Sequence, residues 1–326
     1  MANTFTIIGE VKIPMNGNLY EEKNAGNGKI KTCKMQVVAN GNTLYPEITS
    51  YQGDKIYTIL EENGERKFKE ISYADRDKYI DKIANFKKYV LKTKEFEVEY
   101  ATQGELAERF AKLLKEKTSG KFKLVGEVEY NEYNGKVYSR YNVTRIYEVD
   151  TDEEEIAESR MEVYITGHIN SEHSITLKGL SAQYDSKKKA DKGYPVEIII
   201  PTIDKTDKWI DKLEELITPK SEDTLSKIGL KVNVVAKKAD VEFDESMLSE
   251  EDKEMLEYGF MSLDELKAQY GVGKGSFEKK LEFVGFTRGY NQGCVATEIT
   301  LESLTSDGAM VLPEIEDFDI EDMFAD

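Results

Sequence analysis

The sequence predicts a mainly β protein with helices: two small barrels in tandem, the second with a helical insertion, followed by a disordered acidic tail. Three observations lead there. A glycine-bent strand phrase recurs along the chain, one order of elements occurs twice, and charge is distributed in blocks along the 326 residues.

The strands are read from period-two alternation with β-branched and aromatic enrichment. Phe5, Ile7, Gly9, Val11 and Ile13 share one face of the first strand, and Phe122, Leu124, Gly126, Val128 and Tyr130 share one face of a later one. The stretches 5–11 and 122–128 are nearly the same phrase. Glycine inside a strand loses packing and entropy, so it marks a bulge, a bend or a close backbone approach. Strongly coiled barrels need such bends. The same apolar-Gly-apolar pattern recurs around Gly167 and Gly285.

In the first half a strand at 4–13 is followed by a Gly/Asn-rich loop at 16–28 and a strand at 30–39. The Asn40-Gly41 turn, a strong hairpin signal, leads to a strand at 43–51. A variable stretch with a helix near 75–89 and a strand at 96–100 come next. The helix at 105–117 carries Leu106, Phe110, Leu113 and Leu114 at helical spacing. A hairpin of 121–130 and 137–149 about Asn134-Gly135 closes the half. Three strands, a helix and a hairpin is the element order of the OB-fold, a small five-stranded Greek-key barrel.

The second half repeats the order, with strands at 161–169, 174–183 and 194–200. A helix at 207–217 has Asp207 as its N-cap, and strands at 228–235 and 280–287 follow. Between those last two strands lies an insertion, 245–275, whose two helices carry capping signals at Ser249 and Ser262. The acidic run from Asp150 to Glu158 reads as a linker or solvent-facing turn. The expected domains are therefore 1–149, a linker at 150–159, a second barrel at 160–306 and a flexible tail at 307–326.

A net charge of −18 argues at first against a nucleic-acid partner. Division along the chain weakens that argument. Residues 1–149 carry 25 basic and 22 acidic side chains, 150–306 carry 20 and 33, and 307–326 carry 8 acidic side chains and no basic one. The first barrel is thus slightly basic, and the acid lies in the second half and the tail.

Several classes are excluded. No run approaches the ~18 apolar residues of a membrane span, so no membrane partner is expected. The opening residues carry neither a basic segment nor an apolar signal core. Cys33 and Cys294 cannot build a disulfide framework, which points to a reducing cytoplasm. Cys and His are too few and too scattered for zinc, and no cofactor is implied. His168 and His173, the only histidines, have no nucleophile or paired carboxylate at useful spacing. Residues 271–276 resemble a phosphate loop but lack its Gly-Lys-Ser/Thr ending and follow a helix, so Gly271 reads as a C-cap. No catalytic residue is assigned, and an enzyme is not expected.

Sequence-independent binding of a single strand needs aromatic rings on which bases stack and cations along the phosphates. Tyr130, Tyr133, Tyr138, Arg140 and Tyr141 surround the loop of the last hairpin, with Lys121, Lys123, Lys136 and Arg145 on its strands. Lys31 and Lys34 lie on the second strand, and Tyr45 and Tyr51 on the third. In the second half Lys187, Lys188, Lys189 and Lys192 form a basic loop, and Trp209 reads as core packing.

Residues 108–115 and 120–128 resemble the helix and glycine-bent fourth strand of bacterial and phage single-stranded DNA-binding proteins. Residues 130–141 resemble that family's aromatic and basic loop, 3–11 its first strand, and 307–326 its acidic tail. The resemblance implies an OB-fold protein that coats single-stranded DNA in replication, recombination or repair. It also implies phage origin, a host cytoplasm, and a tail that recruits replication and recombination proteins. The chain departs from the family in holding two barrels and in ending Met323-Phe324-Ala325-Asp326 rather than in a terminal aromatic preceded by proline. The alternative is an OB-fold scaffold or adaptor that binds proteins, in a replisome or virion, without nucleic acid; RNA is a third ligand class.

In the tail, Ile315, Phe318, Ile320, Met323 and Phe324 stand among carboxylates, a composition suited to a short docking motif or to competition for the protein's own groove. Deletion of Pro313 to Asp326 is expected to tighten binding to single-stranded DNA, most at low salt, and to abolish partner recruitment. An unchanged affinity in a low-salt titration removes the self-competition.

Overall fold

The computed structural model describes residues 3–15, 18–133, 135–185, 190–218, 224–238, 255–256, 258, 277–287 and 297–300. The tail, the Lys187–Lys189 loop, Cys294, and the 245–275 insertion apart from 255, 256 and 258 lie outside them.

Alternation builds β1 (Thr4–Lys12), with Phe5, Ile7 and Val11 buried on its inner face. β2 (Tyr20–Ala25), inside the stretch read as a loop, forms a hairpin with β3 (Gly28–Lys34), turning at Gly26, where φ is +56°. β4 (Gln36–Ala39) and β5 (Asn42–Leu44) pair about Asn40-Gly41, and β6 (Glu47–Gln52) follows. The continuous strands read at 30–39 and 43–51 are thus each broken, at Met35 and at Tyr45-Pro46. Pro46 has no N–H for the ladder, and its carbonyl instead accepts from the Met35 amide at 3.2 Å. The paired breaks let both strands turn the corner of a small barrel.

An insertion precedes the first helix. β7 (Lys55–Glu62) and β8 (Glu65–Ser72) make a separate two-stranded hairpin about Asn63-Gly64, both at positive φ. The helix read at 75–89 is instead a 3-10 segment, Tyr73–Lys82, and a shorter one, Asn85–Lys87. β9 (Tyr89–Lys92) and β10 (Glu97–Tyr100) lead into α1 (Gln103–Lys117). The Thr102 hydroxyl and the Glu105 carboxylate cap α1 reciprocally, and Leu106, Phe110 and Leu114 point into the core. Phe110 meets Phe122 edge to face at 5.3 Å.

β11 (Ser119–Tyr133) and β12 (Lys136–Glu148) complete the first barrel. β1 pairs with β4 and β11, β3 with β6, β11 with β12, and β6 meets β12 in a parallel bridge at Glu47 and Asn142. The circuit closes as an OB-fold.

The second barrel repeats the circuit with β13 (Ile156–Asn170), β14 (Ser174–Asp185), β15 (Ala190–Pro201), α2 (Asp207–Ile217), β16 (Thr224–Lys238) and β17 (Phe277–Phe286). β13 pairs with β14 and β16, β14 with β15, β16 with β17, and β15 meets β17 in parallel at Ile199 and Glu282. β18 (Thr297–Thr300) adds to the edge of β16. The cap of α2 is Thr206, not Asp207: its hydroxyl accepts from the Trp209 amide at 3.3 Å, and Asp207 sits in the first turn, where its charge complements the helix dipole. Trp209 packs half-buried against the core, 6.2 Å from Phe283.

The acidic run does not tether two independent beads. Ile156 already opens β13, and Ile156 to Arg160 pair antiparallel with Ile8 to Thr4 of β1. Each barrel's first strand therefore pairs with the other's through its N-terminal half. One hydrophobic cluster runs from Phe5 through Ile165 to Ala236. Cys33 is a buried thiol inside it, and burial pushes its pKa up to about 12. No helix among the described residues is long and apolar enough to cross a membrane.

The recurrent glycines divide into two kinds. A Cβ at Gly9 would lie 2.3 Å from the Val38 carbonyl oxygen, and one at Gly126 would lie 2.1 Å from that of Asn142 and 2.7 Å from the Phe5 ring. A Cβ at Gly167 or Gly285 meets nothing within 4 Å. Gly126→Ala should therefore cost roughly 1–3 kcal/mol through overpacking. Gly285→Ala should stay within about 0.5 kcal/mol of the parent. Urea melts compare them, and equal losses would remove close approach as the reason for Gly126.

Candidate nucleic-acid interface

Strand parity decides which of the proposed binding side chains face outward. Along β3, Lys31 and Cys33 point inward, opposite Ser50 and Ile48 of β6, while Ile30, Thr32 and Lys34 share the outer face with Tyr51, Thr49 and Glu47. Lys31, placed on the binding face by sequence, is in fact buried, and its ammonium donates to Glu108 of α1 at 3.3 Å. Lys34, half-buried, and Tyr51 share the outer face at opposite ends of the β3–β6 ladder. Tyr51 is 60% exposed and lies opposite Ile30. Tyr45 is half-buried at the β5–β6 break, where burial raises its phenol pKa.

The β11–β12 hairpin, read as the main DNA loop, has another task. Tyr130 and Tyr141 are buried, at 4% and 6% exposure, so no base can stack on them. The causes are the second barrel and the first strand. Tyr194 of β15 stacks on Tyr130 at 5.6 Å between ring centroids, and Phe5 meets Tyr141 edge to face at 5.2 Å. The Lys279 ammonium lies 4.8 Å from the centre of the Tyr141 ring and also donates to Ser139. The Gln183 side chain bonds both main-chain groups of Tyr130, accepting from its N–H at 2.7 Å and donating to its carbonyl at 3.2 Å. Burial pushes the Tyr130 phenol up to about 12 and raises that of Tyr141 as well.

Most cations of this hairpin are also engaged. Arg140 is held between Glu129 and Glu47, with Glu47 at 3.3 Å. Asn142 ties three elements together: it donates to Glu129 at 2.8 Å and accepts from the Thr49 amide at 3.2 Å and from Gln103 at 2.6 Å. Lys121 donates to the main-chain carbonyls of Thr151 and Glu153 in the inter-barrel turn, and Arg145 donates to the Asn85 carbonyl at 2.8 Å. Lys123 and Tyr138 are half-buried on the hairpin, and Lys136 is exposed beside its turn. Tyr133, 68% exposed, is the open ring at that tip.

The inserted β7–β8 hairpin adds an aromatic surface that sequence reading passed over as variable. Its inner face, with Leu60, packs on Ile83 and Ala101. Its outer face carries Tyr57 and Phe68, exposed and stacked at 6.1 Å with their planes 14° apart. The Arg66 guanidinium sits 5.1 Å above the exposed Phe86 ring. The hairpin is anchored to α1 through Arg76, which bonds Glu105 at 2.7 Å and lies 4.1 Å over Tyr73. Asn63-Gly64 between alternating apolar residues was the available signal.

No protein-family model matches the sequence, and no curated protein matches it. Among the solved structures similar to this chain are two of the single-stranded DNA binding protein from Thermus aquaticus. A deletion mutant aligns with a TM-score of 0.39 and 9% identity over 88% of this chain and 94% of that one. The wild type aligns with 0.38 and 8% over 91% and 97%.

The two kinds of tyrosine separate by mutation. Tyr141→Ala should lose about 3 kcal/mol of stability, as a buried aromatic truncation does. Tyr51→Ala and Tyr133→Ala should stay within about 0.5 kcal/mol. Denaturant melts read both, and a stable Tyr141→Ala variant would return that ring to the candidate binding set.

Proposed function

We propose that the first barrel binds single-stranded DNA on the outer face of β3 and β6, continued by the β7–β8 hairpin. The observation that carries this reading is the set of open rings there. Tyr51 and the Tyr57–Phe68 stack stand in water, as do Phe86 and Tyr133, while Phe5, Phe110, Phe122, Tyr130 and Tyr141 are packed, and unpaired bases are ligands that such open rings accept whatever their sequence. Lys34 at the far end of the same face and Arg66, which bonds Glu61 at 3.0 Å and lies over the Phe86 ring, supply the cations. Tyr133 and Lys136 extend the set at the hairpin tip. The role is a non-catalytic coat for DNA during replication, recombination or repair, of phage origin, with the tail as its recruiting element.

The neighbouring charges set the character of binding. Arg140 is balanced by two carboxylates, and Lys31, Lys121 and Arg145 are committed to internal partners. Stacking therefore outweighs phosphate pairing in this reading, and salt dependence is shallow. Titration with oligo-dT, followed by tyrosine fluorescence at several salt concentrations, should give a log–log slope of about −1 to −2, or one to three phosphates at roughly −0.7 each. Tyr51→Ala and Phe68→Ala should each weaken binding by about 1–3 kcal/mol. No binding at low salt, with or without the tail, would leave the protein-binding scaffold as the function.

A further inference from the structure

A row of four charges crosses the end of the proposed binding face that lies away from Tyr51. Across the neighbouring strands β3, β6, β12 and β11 it runs Lys34, Glu47, Arg140, Glu129. Lys34 stands directly opposite Glu47 in the β3–β6 ladder, Arg140 opposite Glu129 in the β11–β12 ladder, and the Glu47–Asn142 bridge joins the two halves. We infer that Glu47 sets how strongly this face binds phosphate: its carboxylate occupies the place on Arg140 that a phosphate of the bound strand would take. The inference rests on the proposed binding of single-stranded DNA and names the residue that makes such binding depend on stacking.

Three observations support it. The first is position. Parity puts the row on the outer surface, since the adjoining Cys33, Ile48, Val128 and Tyr141 point inward and are buried. Glu47 shares its face with Tyr51, about 13 Å away along an extended strand. A nucleic-acid strand stacked on Tyr51 and laid along β6, away from the inserted hairpin, brings its backbone to this row. The second is access. The Arg140 side chain is 36% exposed, so an anion in water can reach it. The third is occupancy. Glu47 lies 3.3 Å from one terminal nitrogen of Arg140 and Glu129 bonds the other, while Nε is shielded and donates to no acceptor among the described residues.

Carboxylate and phosphate oxygens suit a guanidinium in the same way, so they compete for it. The carboxylates are tethered and held from behind, Glu47 by the Thr49 hydroxyl at 3.0 Å and Glu129 by the Asn142 amide at 2.8 Å. A phosphate that displaced Glu47 would leave an unpaired carboxylate next to another anion. With two cations against two carboxylates the row has no net charge, and a polyanion gains little from it. The rings remain as the hold on the strand.

The test is oligo-dT titration of the full-length chain at several salt concentrations. Glu47→Gln keeps the oxygen that Thr49 bonds and removes only the charge. It should tighten binding about tenfold at low salt and steepen the log–log slope by about 0.7, the share of one phosphate. Glu129→Gln should steepen the slope likewise. The double variant Glu47→Gln/Arg140→Gln, with the net charge of the parent, should return to parental affinity and slope. Glu215→Gln, which removes a carboxylate paired with Lys212 on α2 at 2.7 Å, should change neither. Thermal melts verify that each variant is folded. If Glu47→Gln lowers the melting temperature and leaves affinity and slope at parental values, the row is a staple between strands and the inference is overturned. A gain that persists without Arg140, or that Glu215→Gln reproduces, also overturns it, because net charge then suffices. In both cases the parent still binds and the DNA reading stands. Failure of the parent and of every variant to bind at low salt overturns both.

Discussion

The antiparallel pairing of β1 with β13 is the constraint on which the rest of the structure depends. Thr4 to Ile8 give one edge to β13 and the other to β11, and Glu10 to Lys12 pair with β4 to close the first barrel. The same division holds along β13, which meets β1 first and β14 further on. Among the described residues, both edges of Thr4 to Ile8 are thus occupied and closed to pairing with another chain. Polar contacts lock the register from both sides: Asn3 donates to Ser181 at 2.6 Å, and the Ser159 hydroxyl donates to the Thr4 carbonyl at 3.0 Å. Ile8, on the face opposite Phe5 and Ile7, is buried as well.

That junction decides which surfaces remain available. Because the barrels are joined edge to edge, the distal part of the β11–β12 hairpin lies on β14 and β15, where Gln183 and Tyr194 clasp Tyr130. A hairpin that in an isolated barrel would stand free for ligand becomes a bracket between barrels. The open faces of the first barrel are then the β3–β6 surface and the inserted hairpin. Charge follows the same logic: many lysines and arginines of this half are fixed by carboxylates or carbonyls, so a basic count in sequence does not amount to a basic surface. The proposed DNA site is accordingly aromatic first and cationic second.

Much of the fold was legible because it is written at short range. Alternation located β1, β11 and β12, the Asn-Gly pair located the β4–β5 turn, and the stripe of Leu106, Phe110 and Leu114 located α1. The glycine phrase was a sound sign of barrel curvature at Gly9 and Gly126, where backbone of another strand occupies the place of a Cβ; at Gly167 and Gly285 the same phrase has open space around it. The binding residues were less legible. Lys31 and Lys34 look alike in sequence, but they differ in parity and only Lys34 shares the outer face with Tyr51. Tyr130 and Tyr141 carry no local mark of burial, because the groups that cover them come from more than fifty residues away in the chain or from its opening strand.

The sequence by itself determined the class, the principal strands and the helix of each barrel and the ordering of charge along the chain, all of which depend on neighbours within one strand, turn or helix. Tertiary structure alone decided that the barrels share a sheet, that the acidic run starts a strand, and which tyrosines meet water. The physical reason is the range of the interactions. Hydrogen-bond ladders between strands far apart in sequence choose the register, register chooses the face, and the face decides whether a tyrosine packs a core or waits for a base.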